Sequence, residues 1–364
     1  MKKSLALAAI FCAAMNLFAY NPPFGGENLF KLTNPDLLSG SASASGGPIF
    51  NVVPGSISFN PALASKVERT MFNASGTILL DVSDSDGYSG VGGGFQAGVI
   101  LPSKWLVFTA AAEGAFSKNP AMDLGNNVGL RLGFSKDVIP SVSVGLNLYG
   151  GYYFGNGSDF TVGADLGFLY SFEKLAFLKD ARLGISVLNM GKPLSSYEVT
   201  GIDGSHDGAG YPGIFTPRIS FGATLFQLGS FDKRFTCAFS SDLYFPTFQN
   251  VAWDVALGFS YSDLFAINVG WDGNMREIMN DSGLSWPSVG LTMHFVIKSD
   301  SSKSGDEWKK NEIVPSVAYQ NVYAKIHAIS AGASFYMGSQ DDESPEIILW
   351  GDSIFDDDDE DGDE

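Results

Sequence analysis

Between Ser141 and Tyr149 every second residue is apolar. Val142, Val144, Leu146 and Leu148 point one way, while Ser141, Ser143, Gly145 and Asn147 point the other. A period of two is the period of a β-strand, and two unlike faces mean two unlike environments. The pattern recurs along the chain at residues 70–82, 92–101, 104–117, 126–135, 141–154, 159–172, 181–189, 217–229, 234–243, 251–261, 264–272, 286–297, 314–322 and 325–337. About fourteen such strands, an even number, predict an all-β fold: a transmembrane antiparallel β-barrel with apolar residues facing lipid and polar ones facing the lumen.

The connections predict which end is which. Odd-numbered links tend to be long (83–91, 118–125, 190–216, 273–285), and even-numbered ones short (102–103, 136–140, 262–263). Long outer loops and short periplasmic turns place both termini in the periplasm. The polar link Lys298–Ile313 departs from this, being long on the side of the short turns. Aromatic rings favour the headgroup zone. Tyr152, Phe154, Tyr244, Phe245, Trp271 and Trp286 are expected at the outer rim, and Trp105, Phe134, Phe172 and Tyr261 at the inner one.

Lys2 and Lys3 followed by the apolar stretch Leu5–Met15 read as a signal peptide over residues 1–19, cleaved near Ala19. That places the protein in the outer membrane, in contact with its lipid and with the barrel-assembly machinery. After cleavage one cysteine remains, Cys237, so no intrachain disulfide forms. Residues 70–337 form the barrel, and residues 338–364 a solvated, disordered acidic tail. The net charge is −18, but 13 acidic residues fall within Asp341–Glu364, leaving about −5 elsewhere. With no basic patch to neutralise phosphates, nucleic acid is not an expected partner.

Residues 20–69 lack the strand rhythm. They carry the small-residue stretch Ser39–Gly47 and the run Phe59-Asn60-Pro61-Ala62-Leu63-Ala64-Ser65. Asn60 suits a helix N-cap and Pro61 a first helical position, predicting a short helix from Pro61 to about Val67. Such a segment either folds into the lumen as a plug or remains a periplasmic leader.

Catalytic chemistry finds little support, and no enzyme activity or cofactor is expected. His206, His294 and His327 lack metal-ligand spacing, so no metal site is expected. Gly92-Gly93-Gly94-Phe95-Gln96-Ala97 matches a dinucleotide fingerprint by letter, but a strand continues where a helix is required. Asp84-Ser85-Asp86-Gly87 fails as a calcium loop at its first and twelfth positions. Alternation points Glu113, Arg131, Asp165, Arg182, Arg218, Asp254 and His294 into the lumen, with Asn147 and Asn268. These groups either form an ion-pair net that holds the plug, or offer Arg131 or Arg218 to a ligand carboxylate.

Residues 20–337 resemble the FadL-like outer-membrane proteins, nearest to the uncharacterised treponemal members and the PorV/PorQ group. The residues carrying the resemblance are Phe59-Asn60-Pro61-Ala62-Leu63-Ala64, beside the signal peptide, the strand number and the Gly/Phe-rich style. Leu63 stands where the usual pattern has Gly. The resemblance implies that Asn60, Pro61, Ala62 and Leu63 belong to an N-terminal hatch. It further implies passive uptake of hydrophobic small molecules such as long-chain fatty acids. Leu29, Phe30, Leu37, Leu38, Ile49 and Phe50 would then line a greasy path or pack the plug. Two other readings stand beside this: a PorV-like barrel that binds protein cargo or a secretion partner without transporting solutes, and a soluble exported β-sandwich.

Overall fold

The computed structural model describes residues 29–41, 43–47, 49–81, 90–117, 126–154, 157–173, 175–194, 198–201, 204–207, 212–229, 234–262, 264–279, 285–298, 310–322 and 326–337. The expected signal peptide, the acidic tail, residues 20–28 and Asp84–Gly87 lie outside these.

Fourteen strands form the wall. In chain order they are β1 (Thr70–Asp81), β2 (Val91–Pro102), β3 (Val107–Ser117), β4 (Asn126–Ile139), β5 (Val142–Phe154), β6 (Ser158–Ser171) and β7 (Lys179–Lys192). They continue as β8 (Thr216–Leu228), β9 (Phe235–Tyr244), β10 (Ala252–Tyr261) and β11 (Phe265–Asn274). β12 runs over Ser288–Met293 and resumes after His294 as Phe295–Lys298; β13 is Lys310–Val322 and β14 is Ile326–Met337. Every strand pairs antiparallel with its chain neighbours. β1 also pairs with β14, from Thr70 opposite Met337 to Asp81 opposite Ile326, which closes the barrel and leaves no open edge. A small hairpin, Glu198–Gly201 with Gly204–Asp207, stands apart from the wall in the long link between β7 and β8.

The alternation resolves as expected. On β5, Ser143 and Asn147 are fully buried while Val144 and Leu148 are exposed at 40% and 46%. In a closed sheet the polar, buried face is the lumen and the apolar, exposed face is the lipid side. Tyr152, Phe154, Trp271 and Trp286 are exposed at the ends near the long links, and Trp105 and Tyr261 at the other end. Tyr244 is a correction to the outer belt: it shares the phase of buried Asp242, and its ring lies under a lumen arginine. The long link after β12 also finds an explanation. Phe295–Lys298 pairs with Lys310–Ile313, so the hairpin continues the β12–β13 ladder.

The N-terminal segment lies inside the barrel. Its 3-10 turns at Leu29–Thr33, Pro54–Ser58 and Pro61–Lys66, with a π turn at Leu37–Ser41, touch strands all around the ring, from β1 to β6 and from β10 to β14. Pro61–Lys66 is the helix expected from Asn60, wound as 3-10. Hydrophobic packing joins segment to wall: Leu37, Val53, Ile57 and Phe59 cluster with Met71, Ile100 and Val107, and Ile49 and Phe50 with Ala238, Ala256 and Ala266.

Glycine makes the close fit possible. A Cβ on Gly184 of β7 would overlap the Ala44 carbonyl, and one on Gly290 of β12 would overlap the Ser39 side chain. Gly98 beneath Pro54 and Gly145 beneath Pro61 are equally tight. The small-residue stretch Ser39–Gly47 and the wall glycines are therefore two halves of one contact, in which backbone meets backbone.

Candidate functional site

The site is built from inward positions of the strands and from the segment. Asn60 is its structural hinge. Its side chain accepts from the Ala62 N–H at 3.0 Å, the expected cap. The same side chain donates to the Ala44 carbonyl at 2.6 Å and to the Phe168 carbonyl of β6 at 3.0 Å. Asn60 thus caps a turn, ties two stretches of the segment together and fastens both to the wall. Pro61 packs over the glycines at 145 and 167, and Ala62 and Leu63 bury against Leu169.

Two charge groups follow. In the first, Arg131 of β4 donates from Nε to Glu113 Oε1 of β3 at 2.7 Å, and its Nη1 lies 3.6 Å from Asp165 Oδ2 of β6. Asn147 donates to the same Asp165 oxygen at 2.6 Å, and the Asn189 N–H donates to its other oxygen at 2.7 Å. The guanidinium sits 5.1 Å from the Tyr149 ring centre.

In the second group three acids stand side by side. Asp242, Asp254 and Asp272 face one another across β9, β10 and β11. Like charges directly opposite are unfavourable and need counter-charges. Arg218 of β8 supplies one, donating from Nε to Asp242 and from Nη2 to Asp254, both at 2.6 Å. Lys31 of the segment supplies the other, paired with Asp272, which also accepts from Gln320 at 2.9 Å. Asp242 further accepts the Ser43 hydroxyl at 2.9 Å and the Ala44 N–H at 2.8 Å, both from the segment. The Arg218 guanidinium lies between the rings of Phe59 and Tyr244, at 5.1 and 4.6 Å. These pairs are short and charge-assisted, so they fix geometry as well as charge.

Of the inward set read from alternation, Glu113, Arg131, Asp165 and Asn147 meet in the first group, and Arg218 and Asp254 in the second. The others do not join them. Arg182 is half-buried near the segment's Gly46, with Asp180 and Asp137 as its electrostatic neighbours. Asn268 is buried beside Gly258 and Ile49. His294 sits at the break in β12, its N–H bonded to the Leu264 carbonyl. Asp242 and Asp272 were missed, although they share the phase of Ser240 and Asn268 on their own strands. Lys31 carried no signal, because its segment has no period. Asp36 was missed for the same reason. It is buried in the segment and accepts from Ser316 at 2.9 Å, Asn51 at 3.2 Å and Thr292 at 3.4 Å. Burial pushes its carboxyl above the ordinary carboxylate value, against those hydrogen bonds.

Between the segment and the long-link end of the barrel lies a cavity of about 100 Å³. Phe30, Leu32 and Phe59 floor it; Leu79, Ala115, Gly129, Tyr149, Gly151 and Leu188 wall it; Leu194 and Pro212 border it from the long link. Lys31, Glu113, Arg131, Arg218 and Asp254 reach its lining. Of the apolar residues proposed for a path, Phe30 lines this cavity, while Leu37, Ile49 and Phe50 are consumed in packing.

No protein-family model matches the sequence, and no curated protein matches it significantly. Solved structures do match. A deltaS2 mutant of the monoaromatic hydrocarbon channel TodX, the toluene transporter of Pseudomonas putida, aligns at a TM-score of 0.50 with 10% identity, over 86% of this chain and 100% of that one. The monoaromatic hydrocarbon channel CymD aligns at 0.46 with 14% identity, over 86% and 100%. A Pseudomonas aeruginosa FadL homologue aligns at 0.44 with 13% identity, over 88% and 98%. At these identities the likeness is one of fold alone: a closed, fourteen-stranded antiparallel barrel.

Proposed function

We propose that the protein resides in the outer membrane and admits small hydrophobic molecules through its barrel. The observation that carries this reading is the largely apolar cavity between the lumen segment and the long-link end of the wall. A purely structural barrel has no need of such a space, and apolar clefts with a few placed polar groups are the common form of a small-molecule site. What the TodX and CymD channels are named for, monoaromatic hydrocarbons, agrees with a hydrophobic cargo.

The segment serves here as the plug. It lies across the lumen beside the cavity, so a molecule held there advances only if the segment shifts. Long-chain fatty acids are the finer reading drawn from the FadL resemblance. The cavity speaks for something more compact: about 100 Å³ compares with the roughly 150 Å³ apolar cavity that holds one benzene. A long acyl chain would require the segment to yield further. Lipid and the barrel-assembly machinery are the partners this reading requires, and no catalytic step belongs to it. The cargo-binding alternative would rest on the long links, most of which lie outside the described residues.

The test is entry of a small apolar fluorophore into vesicles with a lipopolysaccharide outer leaflet, a barrier to such molecules. Refolded protein should accelerate entry over protein-free vesicles. Equal rates would overturn the reading.

A further inference from the structure

We infer that the cavity selects an uncharged, ring-sized apolar molecule bearing a hydrogen-bond donor, a phenol or compact alcohol, and discriminates against carboxylates. This deepens the uptake reading and rests on it.

The first observation is charge. Each cation reaching the cavity is already engaged: Arg131 with Glu113 and Asp165, Arg218 with Asp242 and Asp254, Lys31 with Asp272. A carboxylate ligand would have to displace one of these pairs and leave a buried acid without its partner. The arginines are held by the wall.

The second observation is an unfilled acceptor. Glu113 lines the cavity and is 2% exposed. Its Oε1 accepts from Arg131, but its Oε2 is buried with no hydrogen-bond partner among the described residues. A buried acceptor left unmet is unfavourable, and a ligand hydroxyl donating to it gains more than an exposed hydroxyl would. The third is size and surface: about 100 Å³, bounded by Phe30, Phe59 and Tyr149, suits one ring better than a chain. A ring with a hydroxyl satisfies all three, whereas a ring with a carboxylate satisfies only the third.

Calorimetric binding to the full chain in detergent micelles, with phenol, toluene and benzoate, separates the possibilities. Phenol should bind about tenfold or more tightly than toluene, and benzoate should bind least. Binding of toluene equal to that of phenol would leave the uptake reading intact and overturn this inference; so would benzoate binding best. Binding of none of the three would remove the uptake reading and this inference with it. Glu113→Gln turns a donor towards the place of Oε2 while its carbonyl still faces Arg131, and should abolish the advantage of phenol over toluene. A retained advantage would overturn the role given to Glu113. Should that variant fail to fold, the wild-type ranking of the three ligands decides alone.

Discussion

The two lumen charge groups use the same residue types for different ends. The Arg131 group is closed within the wall: every partner of Glu113, Arg131 and Asp165 comes from β3 to β7. The Arg218 group is completed only by the N-terminal segment. Its row of Asp242, Asp254 and Asp272 is balanced by Lys31, and Asp242 holds Ser43 and the Ala44 backbone. The Arg131 group is electrostatically self-sufficient, whereas the Arg218 group has its polar groups set to receive the segment; both reach the cavity. A buried ion pair therefore does not reveal its role by its geometry; what distinguishes these two is which part of the chain supplies the partners.

The strongest test of that contrast pairs two aspartates. Asp242→Ala and Asp165→Ala each remove one of the two carboxylates of a buried arginine together with the other hydrogen bonds that carboxylate accepts, and each should cost about 3–5 kcal/mol in urea unfolding followed by tryptophan fluorescence. Only Asp242→Ala should also loosen the segment, raising conductance in planar bilayers. Raised conductance from both would erase the distinction between the groups. A control on the outer face comes next. Val255 is exposed to lipid, and Val255→Arg should cost about 2–4 kcal/mol near the midplane while conductance stays unchanged. Overpacking the seat of the segment should be milder. Gly290→Ala drives a methyl into Ser39 and should cost about 1–3 kcal/mol, with partial opening of the pore in the same bilayer assay.

The smallest effect concerns pH. Asp36 has its carboxyl raised by burial, so the folded protein binds a proton at pH values where the unfolded chain has released it. Its contribution makes stability rise as pH falls through the window between the raised value and the ordinary one. The groups facing it, Ser316, Thr292 and Asn51, are neutral. Asp36→Asn should flatten that part of the stability profile in unfolding titrations. An unchanged profile would assign the dependence elsewhere.

Much of the wall was legible before any coordinates, because a strand with two unlike faces repeats every two residues and fourteen strands repeat it fourteen times. The Asn60 cap was legible for a related reason: capping is decided within a few residues. Asp242 and Asp272 were within reach of the same alternation and were overlooked. Lys31 and Asp36 were not within reach. Their segment folds in turns of five or six residues, shorter than any period can register, and their positions are fixed by strands more than two hundred residues away. The cavity was illegible for the same reason, since its lining gathers single residues from many strands. Tyr244 shows the opposite error: an aromatic near a strand end was read as belt when its phase already placed it inward.

The seam between β1 and β14 has a further consequence, for the order of events in folding. Thr70 meets Met337 across it, so the two ends of the wall join last in any stepwise growth of the sheet. Contacts so distant in sequence are slow to form, because the loop they close carries its entropic cost before the pairing rewards it. The segment is tethered directly to β1 and ends up enclosed by every later strand. Docking within the curl of the sheet before the seam shuts would spare it a passage through one end of the finished ring. The N-terminal residues are then positioned to act as a mould on which the growing sheet acquires its curvature.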